Sequence, residues 1–272
     1  VLNNVNSANG YVNFDGNVYV QGTVGSGSRI SATGDIYVGG FTEGAVLEAG
    51  GDIILRKGND ADGIGYVKAK GDIRGVFIET ARLISESNIH ANYCMSSELQ
   101  AGGKVEISGR KGILVGGEVS AGTEILAYQI GNEMGLATKL CLRTRDDVLK
   151  DEAVILQEEE KNRHELVLLQ NAYQDFRRKH PEEVQNVNPV YLKLEDAIYT
   201  KKLEQKMIAD KKKELEKRKK KTQNHRIVAM GTMYSGVDVD INGLNWHSQE
   251  LRNVVLREGD GYVRVEQLIP DK

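Results

Sequence analysis

A short phrase of a glycine, a polar residue and alternating aliphatic residues returns along the first half of the chain. It reads GDIYV at 34–38, GDIIL at 51–55 and GDIRG at 71–75, with looser copies at 16–20 and 103–107. The anchors of the series, 16 to 20 residues apart, are Gly16, Gly34, Gly51, Gly71, Ser87, Gly103 and Thr123. This period lies just below that of helical repeats and matches one coil of a β-solenoid. Because one coil cannot bury its own apolar face, the repeat predicts a stack of about seven coils.

Alternation within each phrase predicts which side chains face the interior, because successive side chains of a strand point to opposite faces. The expected inward pairs are Val18/Val20, Ile36/Val38, Ile53/Leu55, Val105/Ile107 and Ile125/Ala127. A second apolar element before each phrase is expected to add Val46 and Ala49, Val67 and Ala69, and Leu99 and Ala101. Thirty glycines against four phenylalanines and one tryptophan fit a narrow interior of small aliphatic residues. Gaps that do not hold to multiples of six favour a right-handed β-helix.

The middle of the chain, residues 146–222, is different in kind. It contains no glycine, and its apolar residues are spaced as in a helix. The segment HPEEVQNVNP at 180–189 divides it, because prolines and asparagines break helices. The pattern predicts two helices of about 32 residues, about 48 Å long at 1.5 Å per residue, that form an antiparallel coiled-coil hairpin.

The last part of the chain returns to strand patterns. Val237, Val239 and Ile241 alternate with aspartates, and a hairpin is expected to turn at 258–261. The fold class is therefore mainly β, a right-handed β-helix interrupted by a long helical hairpin. The predicted boundaries are 1–143 for the solenoid, 144–224 for the coiled-coil hairpin and 225–272 for strands that return to the solenoid. Since residue 1 is Val and the repeat has begun by Asp15, we expect the chain to be part of a longer protein.

This order of parts resembles a known family. A glycine-rich solenoid with GGDI phrases leads to GRKGILVGGEVSAGTEILAYQIG at 109–131, then a helical hairpin, then IVAMGTMYSGVDVDING at 227–243. The combination is similar to the bacterial flagellar assembly protein A family over nearly the whole chain. The resemblance implies a cytoplasmic protein with a role in flagellar assembly or placement, and the cell pole is a candidate location. It also implies a further N-terminal domain and no catalytic residues.

The repeated aspartates allow two interpretations. Stacking would place Asp35, Asp52 and Asp72 in one column about 4.8 Å apart, where three carboxylates could bind Ca²⁺. Alternatively, each side chain accepts a backbone N–H of its own turn, as Asp and Asn commonly do. We favour the structural role. The outward ladder of candidate binding residues is Tyr37, Asp52, Ile54, Asp72, Arg74 and His90. The alternative function is a carbohydrate-active or calcium-binding β-helix that uses this face.

Other chemistry is weakly represented. The two cysteines, Cys94 and Cys141, form no metal motif, and no pair of the five histidines has metal-ligand spacing. The glycine-rich segments lack the spacing of nucleotide-binding loops. No apolar run approaches the roughly 18 residues of a membrane helix, and a net charge of −3 announces no nucleic-acid partner. We therefore predict a protein that is not an enzyme, with no cofactor, no metal, no bound nucleic acid and no membrane span.

The helical segment offers the clearest partner surface. Its acidic stretch at 146–160 should lie beside the basic stretch at 208–222, which fixes an antiparallel register. The lysines left over at 211–221 could instead contact an anionic surface. The candidate partner-binding residues at the far end of the hairpin are Phe176, Arg177, Arg178, Val190 and Tyr191. Expected partners are proteins: flagellar-assembly or polar-positioning components or a soluble signalling regulator. Self-association through unpaired strand edges at the solenoid ends is a further expectation.

Overall fold

The chain is described here from a computed structural model that covers residues 1–8, 10–109, 111–143, 146–179, 189–222 and 225–268. It consists of two compact units. The first comprises Val1–Thr144 and Thr222–Lys272, and the second comprises Arg145–Lys221. The first unit contains the strands and the second contains the helices, so the helical segment is an insertion into one β-unit.

The strands are short, as a repeat of 16 to 20 residues with three corners requires. In chain order they are β1 (Tyr11–Phe14), β2 (Val18–Val20), β3 (Arg29–Ala32), β4 (Ile36–Val38), β5 (Phe41–Glu43), β6 (Val46–Ala49), β7 (Ile53–Leu55), β8 (Gly58–Asp60), β9 (Tyr66–Ala69), β10 (Ile73–Gly75), β11 (Phe77–Glu79), β12 (Arg82–Ser85), β13 (Ile89–Ala91), β14 (Tyr93–Ala101), β15 (Lys104–Ile107), β16 (Ile113–Ala121), β17 (Glu124–Ala127), β18 (Gln129–Ile130), β19 (Thr138–Leu142), β20 (Arg226–Met233), β21 (Val237–Ile241), β22 (Leu244–His247), β23 (Leu251–Glu258) and β24 (Val263–Gln267).

Parallel pairing arranges these strands in three ladders, which we call the first, second and third faces. The first face runs through β2, β4, β7, β10, β13, β15, β17 and the start of β20. The second runs through β1, β3, β6, β9, β12, the ends of β14 and β16, β19 and β21. The third runs through β5, β8, β11, the starts of β14 and β16, β18 and the end of β20. The chain is a parallel β-solenoid of about seven turns, which confirms that part of the predicted fold.

A column of small aliphatic side chains fills the solenoid. All five predicted inward pairs of the first face are buried, as are Ala49, Val67, Ala69, Leu99 and Ala101. The prediction is wrong at Val46, which is only half-buried and lies in register with Arg29 and Tyr66 on the outside. Leu47, fully buried, takes the inward position. Residues 46 and 49 are separated by an odd number of positions, so they cannot share one face of a strand.

The helical insertion leaves the stacking register unchanged. β19 ends the second face of its coil at Leu142, and β20 resumes the first face at Arg226. Arg226 pairs in register with Glu124, as Glu124 does with Lys104 in the previous coil. The insertion thus enters at a corner between strands, where added residues do not disturb ladder pairing.

Two helices form the second unit. They are α1 (Asp146–Lys179) and α2 (Pro189–Thr222), and Pro189 suits the first helical position because no intrahelical bond needs its N–H there. Residues late in α1 contact residues early in α2, since Tyr173 meets Tyr191 whereas Glu158 meets Lys211. The side chains with little exposure in this unit are Ile155, Asn162, Leu166, Ile208 and Leu215. The helix break is predicted at 180–189; residues 180–188 lie outside the described residues, and Pro189 begins α2.

The C-terminal strands run antiparallel to the last coil. β22 pairs with β21, β23 pairs with β20, and β24 pairs with β23. The hairpin expected at 258–261 is confirmed, because Glu258 pairs with Val263 across the turn. β23 and β22 cover the edges of β20 and β21, whereas in the described residues β22 pairs only with β21 and β24 only with β23. Strand edges therefore remain at this end, and self-association through them stays a prediction.

We predict that Thr42→Val raises the free energy of unfolding by about 1 kcal/mol. Thr42 is fully buried in the third face, and among the described residues its Oγ1 has no hydrogen-bond partner. Val24 occupies the matching position one coil earlier, so the interior accepts valine there. Urea denaturation of the two proteins measures the change. Equal or lower stability of the variant would show that the Thr42 hydroxyl forms a hydrogen bond in solution.

Candidate functional site

A column of Asn and Asp side chains marks the corner that precedes the first face. The side-chain Oδ1 of Asn17 accepts the backbone N–H of Asp35, that of Asp35 accepts from Asp52, and that of Asp52 accepts from Asp72, each at 2.8 Å. Asp72 and Asn88 continue the series at 3.2 and 3.0 Å. The predicted acceptance of backbone N–H groups is correct, but the expected partner is wrong. Each side chain serves the next coil and not its own turn.

The glycines of the repeat make room for these oxygens. A Cβ atom placed on Gly34, Gly51 or Gly71 would lie 2.0 to 2.1 Å from the Oδ1 atom of the previous coil. That approach is far inside van der Waals contact, so any side chain there would displace the acceptor. The glycine and the Asn or Asp of the previous coil therefore depend on each other. The glycine has no side chain, and the side-chain oxygen of the previous coil occupies the space that this leaves.

This arrangement favours the structural interpretation of the aspartates over calcium binding. In Asp35, Asp52 and Asp72, Oδ1 is already used by a backbone N–H. Within the described part of the chain, no group of three or more His, Cys, Asp or Glu side chains is placed to hold a metal ion. The column is best explained as a series of hydrogen bonds that hold successive coils together.

The outward ladder divides into two groups. Tyr37, Ile54, Arg74 and His90 follow one another in register on the first face. Tyr37 lies beside Tyr19, with ring centroids 6.0 Å apart. Asp52 and Asp72 stand at the corner before the strands, in the acceptor column. The sequence prediction therefore combined an outward strand position with a corner position.

Charged side chains between residues 72 and 106, on this face and at its corner, form contacts with one another. Arg74 donates to Asp72 at 2.8 Å, and Lys104 donates to Glu106 at 2.6 Å. His90 lies between the two acids, 4.0 Å from Asp72 and 3.5 Å from Glu106. Partial burial raises the pKa of Asp72, but hydrogen bonds from Ser87 and Asn88 and the charge of Arg74 outweigh it, and the net pKa is lowered. Bonds from Lys104 and Ser108 likewise lower the pKa of Glu106.

The predicted partner residues lie at the end of α1 and the start of α2. Arg177 and Arg178 are exposed, and Arg178 pairs with Asp175 at 2.7 Å on the same helix. Phe176 is half-buried, whereas Val190 is 51% exposed.

Tyr191 packs on Tyr173 from α1, with ring centroids 5.1 Å apart and hydroxyl oxygens 2.5 Å apart. That hydrogen bond is the main cause that raises the pKa of Tyr173 to about 12. Packing between the helix ends thus accounts for Tyr191 and leaves Arg177, Arg178 and Val190 more accessible.

The basic run meets acids of α1 where its side chains are described. Lys211 donates to Glu158 at 2.8 Å and Lys212 donates to Glu159 at 2.7 Å. The predicted pairing of the acidic and basic stretches is present at these two positions. The side chains of 217–221 lie outside the described residues.

The sequence analysis missed the outer surface of the third face. Phe77 and Tyr93 stack there, with ring centroids 5.2 Å apart and planes inclined by 5°. Phe41 stands two coils before Phe77 on the same column. The only signal was positional, since each aromatic residue follows a strand of the first face by a few residues. No glycine–aspartate phrase marks this face.

These features define a class of protein. The chain is a parallel β-solenoid whose repeated polar residues bind its own backbone, with two helices inserted at one corner. In the described residues, no helix is long and apolar enough to cross a membrane.

The comparison with protein families gives a more specific result. The family described as "Flagellar Assembly Protein A beta solenoid domain", FapA, matches residues 1–262, so the chain belongs to that family. No curated protein and no solved structure matches it.

We predict that Asp52→Ala lowers the free energy of unfolding by about 1–2 kcal/mol, because the backbone N–H of Asp72 loses its acceptor. Asp52→Asn should stay within about 0.5 kcal/mol of the parent, because Asn17 and Asn88 do the same work in neighbouring coils. Urea denaturation with and without added Ca²⁺ checks both. A calcium-dependent gain in stability that Asp52→Asn abolishes would support the metal-binding interpretation instead.

The lowered pKa of Asp72 makes a pH-dependent contribution to stability. A carboxyl group with a lowered folded-state pKa stabilises the fold above its ordinary value of 3.8 and loses that effect as pH falls through the folded-state pKa. We therefore expect the parent to be more stable than Asp72→Asn at pH 7 by about 1–2 kcal/mol. The difference should shrink at pH 3. Urea denaturation at both pH values tests this, and a constant difference would contradict it.

Proposed function

We propose that the chain is a non-catalytic scaffold of bacterial flagellar assembly that binds protein partners through its solenoid faces or its helices. Membership of the FapA family supports a role in flagellar assembly. The observation that supports the scaffold role is that the polar side chains of the repeat bind other groups of the same chain. The Asn and Asp column binds backbone N–H groups, and Asp72, Arg74, His90 and Glu106 form contacts with one another.

The proposal includes finer features of the fold and location. The coils are taken as right-handed, as the variable spacing of the repeat favours. The two helices are taken as an antiparallel coiled coil, which the reversed order of contacts between Glu158 and Lys211 and between Tyr173 and Tyr191 supports. The protein is placed in the cytoplasm, with the cell pole as its working location.

The helix ends are the proposed partner site on the second unit. Arg177 and Arg178 are adjacent and exposed. Phe176 precedes them in α1, and Val190 is an exposed apolar residue at the start of α2. Arginine with apolar neighbours is enriched at protein interfaces, because its planar group binds carboxylates while its stem packs on carbon. A partner with an acidic surface would fit these two side chains.

We predict that the full-length protein with Arg177→Glu and Arg178→Glu fails to restore motility to a flagellated host that lacks it. Charge reversal removes the pair of Arg178 with Asp175 and places two acids in the last turn of α1, so we expect a loss of about 1 kcal/mol in the free energy of unfolding. Swimming-halo diameter and counts of flagella per cell measure the outcome, and thermal denaturation confirms that the variant folds.

The matched control reverses two other exposed charges on the helices, Arg163→Glu and Lys206→Glu. This control should restore motility. Full motility with both variants would refute the helix-end site, whereas normal flagella in the host without the protein would refute the role in flagellar assembly.

A further inference from the structure

A cavity of about 400 Å³ opens on the outside of the third face. Phe41 and Phe77, two coils apart, both line it, as does Ile64, which is 56% exposed. Ile64 belongs to the corner of residues 61–65, which lengthens this coil and carries Asp62 and Gly65 in left-handed conformations. The lining of the cavity therefore includes two aromatic residues and one exposed aliphatic residue.

A glycine separates the two aromatic residues along the stack. Phe41 pairs with Gly58, and Gly58 precedes the residue that pairs with Ile78, so Phe41, Gly58 and Phe77 occupy three successive rungs of one column. Three rungs span roughly 10 Å from first to last. A Cβ on Gly58 would lie 2.2 Å from the carbonyl oxygen of Phe77. Glycine is thus required at this rung, because the backbone of Phe77 occupies the position that a Cβ atom would take.

The surroundings of the cavity are negatively charged and uncompensated. Glu43 and Asp60 are neighbours in register, and Glu79 follows Asp60 in the next coil. Asp62 lies at the lengthened corner. Where the structure describes their surroundings, none of these four carboxylates has an ion pair. By contrast, the acids on the strands of the other two faces are paired, namely Glu48, Glu98, Glu106, Glu118, Glu124, Asp238 and Asp240.

A cation already uses one wall of the cavity. The Nζ atom of Lys57 lies 5.5 Å from the centroid of the Phe41 ring. This distance falls within the range of cation–π interactions, which strengthen when water is excluded. Lys57 directly precedes Gly58, so its ammonium group reaches the ring from the rung that lacks a side chain. Phe41 is 43% exposed, so a positive group that enters the cavity can contact its ring as Lys57 does.

We propose that this cavity, which we call the aromatic groove, binds an arginine or lysine side chain from a basic segment of a partner protein. Aromatic faces and unpaired carboxylates together select an organic cation. Lys57 would be the internal competitor that the partner's cation displaces. This inference rests on the proposed scaffold function and names one surface and the chemistry of the partner that it fits.

The test is an NMR titration of the full chain with the peptide Ac-Gly-Gly-Arg-Gly-Gly-NH₂ and its lysine and glutamine counterparts. The two cationic peptides should shift the backbone amides of Gly58, Asp60 and Ile64, and the glutamine peptide should not. Phe41→Leu and Glu43→Gln should each weaken binding about three- to five-fold, the size expected of one exposed cation–π or charge contact. Lys57→Gln should strengthen it by a similar factor.

Two control variants separate the groove from general electrostatic attraction. Tyr11→Leu removes an aromatic ring on the second face, 76% exposed, and Glu86→Gln removes one exposed acid outside the groove. Both should leave the dissociation constant unchanged. Shifts spread over all acidic surfaces, equal binding of the glutamine peptide, or unchanged binding by Lys57→Gln would each overturn the proposal. If the peptides do not bind the groove but the Arg177 and Arg178 variant loses motility, the proposed binding of a cation in the groove is refuted and the scaffold function is not.

Discussion

The fold depends on the hydrogen bond from the backbone N–H of one coil to the side-chain oxygen of the coil before it. Asn17, Asp35, Asp52, Asp72 and Asn88 supply these oxygens in succession. Ladder pairing alone holds strands side by side, but a parallel ladder can slip in register when its side chains are small and alike. A polar atom that fits closely against the glycine of the next coil helps to fix the register at Gly34, Gly51, Gly71 and Gly103. The corner is therefore as important to the specificity of the fold as the aliphatic interior.

This constraint explains how the chain accommodates a long insertion. Stacking depends on the residues at each rung and not on the number of residues between rungs. Leu142 and Arg226 are in register with Ala121 and Glu124, only three residues apart in the preceding coil, although the two helices separate them in sequence. His225, just before the re-entry point, is buried, and its ring nitrogens lie 3.0 Å from the carbonyl oxygen of Gly122 and from the side chain of Asn242. The re-entry is thus fixed by contacts within the solenoid.

The sequence predicts the parts of the fold that depend on alternation and on the glycine–aspartate phrase. Ile53 and Leu55 could be placed inside because they align with Ile36 and Val38 of the preceding repeat, which flank Tyr37. The direction of the Asp52 bond could not be predicted, because one sequence does not distinguish an acceptor for its own turn from an acceptor for the next coil. The aromatic groove was also beyond prediction. Gly58 looks like another turn glycine, and only the register shows that it separates Phe41 from Phe77.

The charged side chains of the three faces differ in how they are paired, and this difference affects where a partner protein can bind. On the first face, Asp72, Arg74, His90 and Glu106 satisfy one another, so a partner would have to break existing contacts to use them. On the second face, pairs such as Glu118 with Lys139 do the same. Breaking a surface pair costs little, but it gains a partner little as well. The third face has acids that form no ion pair in the described part of the chain beside partly exposed aromatic residues, so a cation that binds there displaces only the contact of Lys57 with Phe41.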